Sequence, residues 1–590
     1  MSAALALIQQ AQAHFGAGRR EQAKAAMLQA AERFPDDPEV LFGVSQLMRS
    51  LGDLPAAALY AERLVAAAPG HPDAWLQFAQ VCIAQGNLEK AEGYAMRALE
   101  LDPRNADRHR SVSWVTHRRT RYLEAARYAR RGLALAPHDA DLRQKEAVAL
   151  QALGRAEASA AAYREGIAAC PDSLDLAEGY ASCLNYLPGA EAAETLAAHR
   201  RFGAILARGQ PAPRPRSIST ADRARPPRIG ILSTDLRTHS VGFFMRALLA
   251  HHDHHRQPLH CYSVTRAEDD FTNLLRAGMP KGRWRTFVGT EGGPQAIAEA
   301  ICGDGIDILI ELSGLTREHQ LRVLLSRPAP IQMTYCGYPN TTGMNVVDYR
   351  LVDSLTDPAP EADRWCVEKL VRLDPCFLCF TPPSERVAGR ERRGEGPVVF
   401  GSFNALMKLN DAVLRTWAAL LQRVPGSKLL IKAFGLQDPQ VHDDVRARVL
   451  AAGIDAERVE LLAPAKGTGD HLLTYQRVDI ALDTFPYHGT TTTCEALYMG
   501  VPVVTRAGNT HGSRVGVSLL SALGLGELIA SSEEDFIERC ATLAGDAARR
   551  AALGADLRGR LLASPLCDGP AFARCFDNAM DRVWAEHQPR

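Results

Sequence analysis

A 34-residue period constrains this chain more than any other feature. Pro35, Pro69, Pro103, Pro137 and Pro171 recur at that interval. Gly18, Gly52, Gly86 and Gly154 keep it too, with Thr120 in the one slot that lacks glycine, as do the small residues Ala23, Ala57, Ala91, Ala125 and Ser159. In a helix-pair repeat, glycine ends the first helix, a small residue lets the helices approach, and proline stops the second. The interval is the tetratricopeptide one. About five repeats are therefore expected, within an all-α superhelix assigned to residues 1–185. A single repeat cannot bury its own apolar face, so neighbours must stack and leave a concave groove. That groove suits extended protein segments; a scaffold or a dimerisation arm is the alternative. The arginines at 118–121 and 127–131 read as a solvated face.

The totals exclude several classes. At 590 residues, three or more domains are expected. With 68 basic and 68 acidic residues, nothing electrostatic points to nucleic acid or a membrane surface. No apolar run reaches the ~18 residues of a membrane span, and the N-terminus reads as an amphipathic helix rather than a signal peptide. The 13 cysteines are scattered without zinc-site spacing. Even Cys376 and Cys379 lack a second pair, so free thiols in a reducing cytoplasm are expected.

Helical pattern persists to about Arg208 and gives way to a proline-rich stretch; residues 186–227 form a linker. From Arg228 buried strands alternate with helices, which implies a parallel, doubly wound sheet over 228–383. Strands are expected near Arg228–Ser233, Leu259–Val264 and Ile306–Leu312. The ends of such strands hold ligands, and here they carry Asp235, His239, Ser313, Gly314 and Thr316. The run Arg327–Gly343, rich in Pro, Gly and Asn, reads as a shaped loop. A charged link, 384–397, leads to a second such sheet over 398–590.

Within that second half, Asp479–Thr505 reads as strand, turn, helix, strand, with the helix opening near Thr492–Thr493. Free N–H groups and the positive dipole end make a helix mouth an anion site. Thr490, Thr491, Thr492 and Thr493 place hydroxyls there, Gly489 permits close backbone approach, and Glu495 lies one turn in. A diphosphate fits, with the carboxylate on a ribose hydroxyl. A threonine-capped crossover helix that binds nothing is the competing account.

The motifs STDLRTHS, IDILIELSGLT, RPAPIQMTYCGYPNTTG, VDYRLVDSLTDP, FGSFNALMKLND and DTFPYHGTTTTCEALYMGVPVVT, in this order behind the repeats, resemble the tetratricopeptide-linked O-glycosyltransferases. That family includes O-GlcNAc transferase and SPINDLY, and the likeness is closer to SPINDLY. The resemblance implies the glycosyltransferase B arrangement of two Rossmann-like halves. It also implies a cytoplasmic enzyme and an inverting, metal-independent transfer of a sugar from a nucleotide diphosphate to Ser or Thr of proteins. No cofactor is implied beyond the co-substrate, UDP-GlcNAc or GDP-fucose.

In that light Lys408 reaches the donor's pyrophosphate, Thr491 and Thr492 bind phosphate, Glu495 faces the ribose and His471 packs on the base. His239 lies near the acceptor hydroxyl, as a base or as a positioning residue. His488 departs from SPINDLY, where a small residue stands. Ala405 and Thr490 replace a Gln and a His of the animal enzymes, which leaves the donor open between the two. Partners are protein substrates in the groove, with homodimerisation as a second use of the array. Two other classes remain: a repeat-based adaptor with an inactive transferase fold, and a transferase acting on glycans or small molecules.

Overall fold

The computed structural model describes residues 3–210, 218–265, 268–288, 293–316, 318–383, 387, 396–465 and 467–587. The connection expected over 384–397 lies largely outside them, as does the middle of the proline-rich stretch. Two compact units result: residues 1–153 with 161–171 and 438–441, and residues 154–160, 172–437 and 442–590.

The first unit is a run of antiparallel helix pairs, beginning Ala3–Gly16 with Arg20–Arg33, Pro38–Ser50 with Leu54–Ala67, and Pro72–Ala84 with Leu88–Leu101. The period is explained residue by residue. Gly18, Gly52 and Gly86 have φ of 75°, 82° and 78°, the left-handed conformation that ends a helix at little cost only for glycine. Thr120, in the missing slot, takes the same conformation with φ of 63°. Ala23, Ala57, Ala91 and Ala125 are fully buried. Two of them sit where a hydroxyl of the preceding helix reaches across the pair: Ser45 Oγ donates to the Ala57 carbonyl (2.9 Å) and Ser113 Oγ to that of Ala125 (2.8 Å). Asp37, Asp53, Asn87, Asn105 and Asp139 cap helix N-termini with their side chains.

The second unit holds two parallel sheets. Strands β1 (Ile229–Ser233), β2 (Leu259–Thr265), β3 (Trp284–Val288), β4 (Ile308–Glu311), β5 (Ile331–Thr334), β6 (Tyr349–Val352) and β7 (Lys369–Arg372) run in the order β3-β2-β1-β4-β5-β6-β7. Strands β8 (Val399–Ser402), β9 (Lys428–Lys432), β10 (Val459–Leu462), β11 (Ile480–Leu482), β12 (Val503–Arg506) and β13 (Ile529–Ala530) run β10-β9-β8-β11-β12-β13. The order reverses beside β1 and beside β8, and in such sheets those reversals open the ligand crevice. Fully buried strands such as β1, β4 and β5 read as short apolar runs because helices cover both faces.

The expectation of one shaped loop over Arg327–Gly343 is corrected here. Ile331–Thr334 is an interior strand, with Ile308 opposite Ile331 and Met333 opposite Tyr349. The four residues Ile331–Thr334, between Pro330 and the turn at Cys336, suffice because the pairing comes from both neighbours. Strands β3, β6 and β7 likewise add to the three expected.

The closing helix Gly569–Glu586 returns to the first sheet. His252 Nδ1 meets Asp577 Oδ1 at 2.6 Å and the Arg223 guanidinium donates to the Trp584 carbonyl at 2.6 Å, while just ahead of the helix the Leu566 carbonyl accepts from Phe380 N–H at 2.6 Å. No helix among the described residues is long and apolar enough to cross a membrane, and all thirteen cysteines are free.

A substitution at Gly86 isolates the backbone term, since nothing lies within 4 Å of where its Cβ would be. Gly86→Val should destabilise the repeats by about 1–2 kcal/mol, read as a lowered midpoint in chemical denaturation, with no change in the folded circular dichroism spectrum.

Candidate active site

The ends of β8 and β11 lie side by side, and the residues that follow them build the site. After β11, Asp483 is buried and its carboxylate is fully engaged. Oδ1 accepts from the N–H groups of Thr484 (2.9 Å) and Gly489 (2.7 Å), and Oδ2 from Thr505 Oγ1 (2.7 Å). That carboxylate folds the turn 483–489 back on itself. His488 completes the brace: Gly516 N–H donates to its Nδ1 (3.1 Å), and its Nε2 donates to the Arg506 carbonyl (3.0 Å). Burial lowers its pKa, so the ring is neutral. His488 is thus a structural strut.

Gly489 is required by sterics. A Cβ there would lie 2.6 Å from Thr492 Oγ1 and 2.9 Å from Thr493 Oγ1. The helix runs Thr491–Tyr498, opening one residue earlier than expected, and Thr490 precedes it without a side-chain cap. Its first amides therefore lack partners within the helix. Thr492 Oγ1 donates to Asn404 Oδ1 (3.2 Å) of the turn after β8, which joins the two strand ends.

Lys408 closes that turn from the 3-10 segment Leu406–Lys408. Its Nζ donates to the His488 carbonyl (2.6 Å) and lies 4.3 Å from the centre of the Tyr487 ring. Tyr487 is stacked in turn on Tyr186 (4.8 Å, 16°). No carboxylate pairs with this ammonium among the described residues. Burial pulls its pKa down to about 8, with the attraction of Asp483 opposing. A cation held against a carbonyl and a ring at a helix mouth is set to receive an anion.

A second cation was not foreseen. Lys432 ends β9, is buried, and donates to His471 Nδ1 (2.8 Å), while His471 Nε2 donates to Glu495 Oε2 (2.9 Å). Burial lowers its pKa to about 8 as well, with Glu495 opposing. Glu495 is thus committed to His471 and, at 3.4 Å, to Tyr475 Oη. His471 sets its ring edge-on to Tyr475 (90°). The Tyr475 hydroxyl also donates to the Thr492 carbonyl (3.1 Å), tying this group to the helix mouth.

His239 stands apart, on the first sheet's side. It caps the helix Ser240–His251, with Nδ1 accepting from Val241 N–H (3.3 Å) and lying 3.8 Å from Asp235. Among the described residues, hydrogen bonds gather Lys408 on the His488 carbonyl and Gly489 on Asp483 in one group, and Thr492, Glu495 and His471 around Tyr475 in another; His239 belongs to neither.

Residues 210–380 and 384–576 match the profile of glycosyl transferase family 41, and residues 8–72 and 48–113 match tetratricopeptide profiles. The chain belongs to glycosyl transferase family 41. It is 43% identical over 374 residues to an Arabidopsis thaliana protein named probable UDP-N-acetylglucosamine–peptide N-acetylglucosaminyltransferase SPINDLY, and 42% over 371 residues to the tomato (Solanum lycopersicum) protein of that name. Each match takes in 62% of this chain, but only 40% and 39% of those relatives. A solved mutant of the Thermobaculum terrenum O-GlcNAc transferase aligns with a TM-score of 0.80 at 32% identity, over 87% of this chain and 97% of that one. The fold is therefore that of family 41: tetratricopeptide helices followed by two Rossmann-like halves.

Within the family-41 region, Asp483 supports the whole turn 483–489. Asp483→Ala should cost about 3 kcal/mol, because the buried Thr484, Gly489 and Thr505 donors lose their acceptor together. Thermal unfolding of the purified variant measures it.

Proposed function

We propose that the protein is a glycosyltransferase moving a sugar from a nucleotide diphosphate donor, UDP-GlcNAc or GDP-fucose, to Ser or Thr hydroxyls of proteins. The observation that carries this is Lys408, an ammonium at the mouth of a helix with no carboxylate partner among the described residues. The names of the plant and bacterial relatives support the reaction class. The repeats support protein acceptors held in the groove.

In this reading the donor's diphosphate lies on the amides of Thr491–Thr493, with Lys408 against it. As the bond from the anomeric carbon to the diphosphate breaks, negative charge grows on the leaving oxygen. A cation already in place stabilises that charge without reorganisation. Charge neutralisation by Lys408 and amides makes the transfer metal-independent, and a single displacement gives inversion. Thr490 and Ala405, which replace the His and Gln of animal enzymes, leave the base and sugar to be decided by measurement.

Thermal-shift titration with UDP, GDP, UDP-GlcNAc and GDP-fucose in the presence of EDTA tests the reading. One nucleotide family should raise Tm, and Lys408→Met should remove most of that gain; a chain indifferent to all four would overturn it. The pH dependence has a defined sign. In the free protein both lysines lose their charge as pH rises through about 8. Nucleotide stabilisation should therefore be full near neutrality and fall above pH 8, and Lys408→Met should show a flatter profile.

A further inference from the structure

His511 and Asp357 form a buried dyad with one member from each half. His511 follows β12 and Asp357 follows β6, so both sit at the carboxyl ends of their sheets, the side on which such folds hold ligands. His511 Nδ1 lies 2.5 Å from Asp357 Oδ2. The other carboxylate oxygen faces Arg350 at 3.3 Å, and the Phe377 ring meets the imidazole edge-on at 4.8 Å. His511 is only 8% exposed, and its Nε2 has no partner among the described residues. The adjoining Gly512 carbonyl accepts from His488 N–H (2.9 Å), and the His488 carbonyl is the one that holds Lys408. The residue after His511 is therefore linked to the proposed phosphate cation through His488, by one backbone hydrogen bond and one from the Lys408 ammonium.

His239 and His511, each placed after a strand of its sheet, differ in tautomer. At His239, Nδ1 accepts a proton donor from the backbone, so the neutral ring carries its hydrogen on Nε2 and presents a donor. At His511, the carboxylate takes the Nδ1 hydrogen, and Nε2 presents a bare lone pair. Only the second arrangement is ready to accept a proton.

We propose that His511, oriented by Asp357, is the proton acceptor for the hydroxyl that attacks the sugar. The inference rests on the transferase reading above. The acceptor's O–H proton passes to Nε2 while its oxygen bonds to the anomeric carbon. The bond from that carbon to the diphosphate breaks, and the electron pair leaves on the diphosphate beside Lys408. The imidazolium left behind is paired with Asp357 and later releases its proton to water. The charged groups around the ring are Asp357 and Arg350 from the first half and Arg514 from the loop after β12, whose Nε donates to the Leu355 carbonyl (2.7 Å), with Asp353 nearby.

The test uses the full chain, with UDP-GlcNAc and GDP-fucose as donors and a degenerate Ser/Thr peptide library as acceptor, and reads nucleotide release from pH 5.5 to 9. His511→Gln keeps a donor to Asp357 but has no basic nitrogen. It should retain the wild-type nucleotide thermal shift, lose transfer by about 100-fold or more, and lose the acid-side decline in rate. Asp357→Asn, which drives the ring to the opposite tautomer, should do the same. His239→Gln should keep the acid-side decline. Transfer by His511→Gln within about threefold of wild type, or an equal loss of nucleotide binding and transfer, would overturn the proposal. A wild-type chain that neither binds nor turns over any donor would instead remove the transferase reading itself, and this proposal with it.

Discussion

An ammonium that pairs with no carboxylate among the described residues is the constraint around which the second unit is arranged. Lys408 has a carbonyl and an aromatic face for company, and taking a cation out of water without a counter-charge is unfavourable. The surrounding chain compensates by rigidity. Asp483 binds the turn from inside, His488 ties it to Arg506 and Gly516, and Gly489 lets two threonine hydroxyls close over the backbone. Asp483 does not itself pair with Lys408. Had it done so, the charge would be neutralised and the helix mouth would have no cation to offer an anion.

The same logic recurs at Lys432, with a different outcome. There the ammonium is spent on an imidazole, whose far nitrogen is spent on Glu495. The chain of three fixes the ring's tautomer and orientation, much as outer-shell partners fix metal-binding histidines. A ribose hydroxyl arriving at Glu495 would have to share the carboxylate with His471 and Tyr475. Two cations of similar pKa, one held by a carbonyl and a ring and one committed to an imidazole, thus divide the crevice into a proposed charge-binding end and a shape-defining end.

What the sequence made legible follows from how local each cause is. The repeat is written in single residues at a fixed interval, because each glycine, alanine and proline acts within its own turn. Lys408, Gly489 and the threonine run were legible because they follow strands along the chain. Strand β5 was not, since four residues flanked by turn formers carry no period of their own and are strand only through β4 and β6. Lys432 was hidden at the end of an apolar run, where a lysine reads as a solvated terminus. His511 and Asp357 are 154 residues apart, and neither the turn THGS nor the turn SLTD suggests the other. Pairs that span two halves can be seen only once both sheets are closed.

That separation bears on how the two halves cooperate. A proton acceptor assembled across the crevice exists only when the halves are docked, because Asp357 comes from one and His511 from the other. The docking is held nearby by Arg514 on the Leu355 carbonyl and by Ser518 Oγ on Asp353 Oδ2 (2.6 Å). It is held again, at a second place, by the closing helix through His252 and Asp577. With the halves apart, His511 would lose the carboxylate that keeps its Nδ1 protonated, and Nε2 would no longer be held as the bare nitrogen. The cation would remain at its helix mouth throughout, since Lys408, Asp483 and His488 all belong to one sheet. Binding of an anion and acceptance of a proton are therefore separable in this fold: the first needs one half, the second needs both.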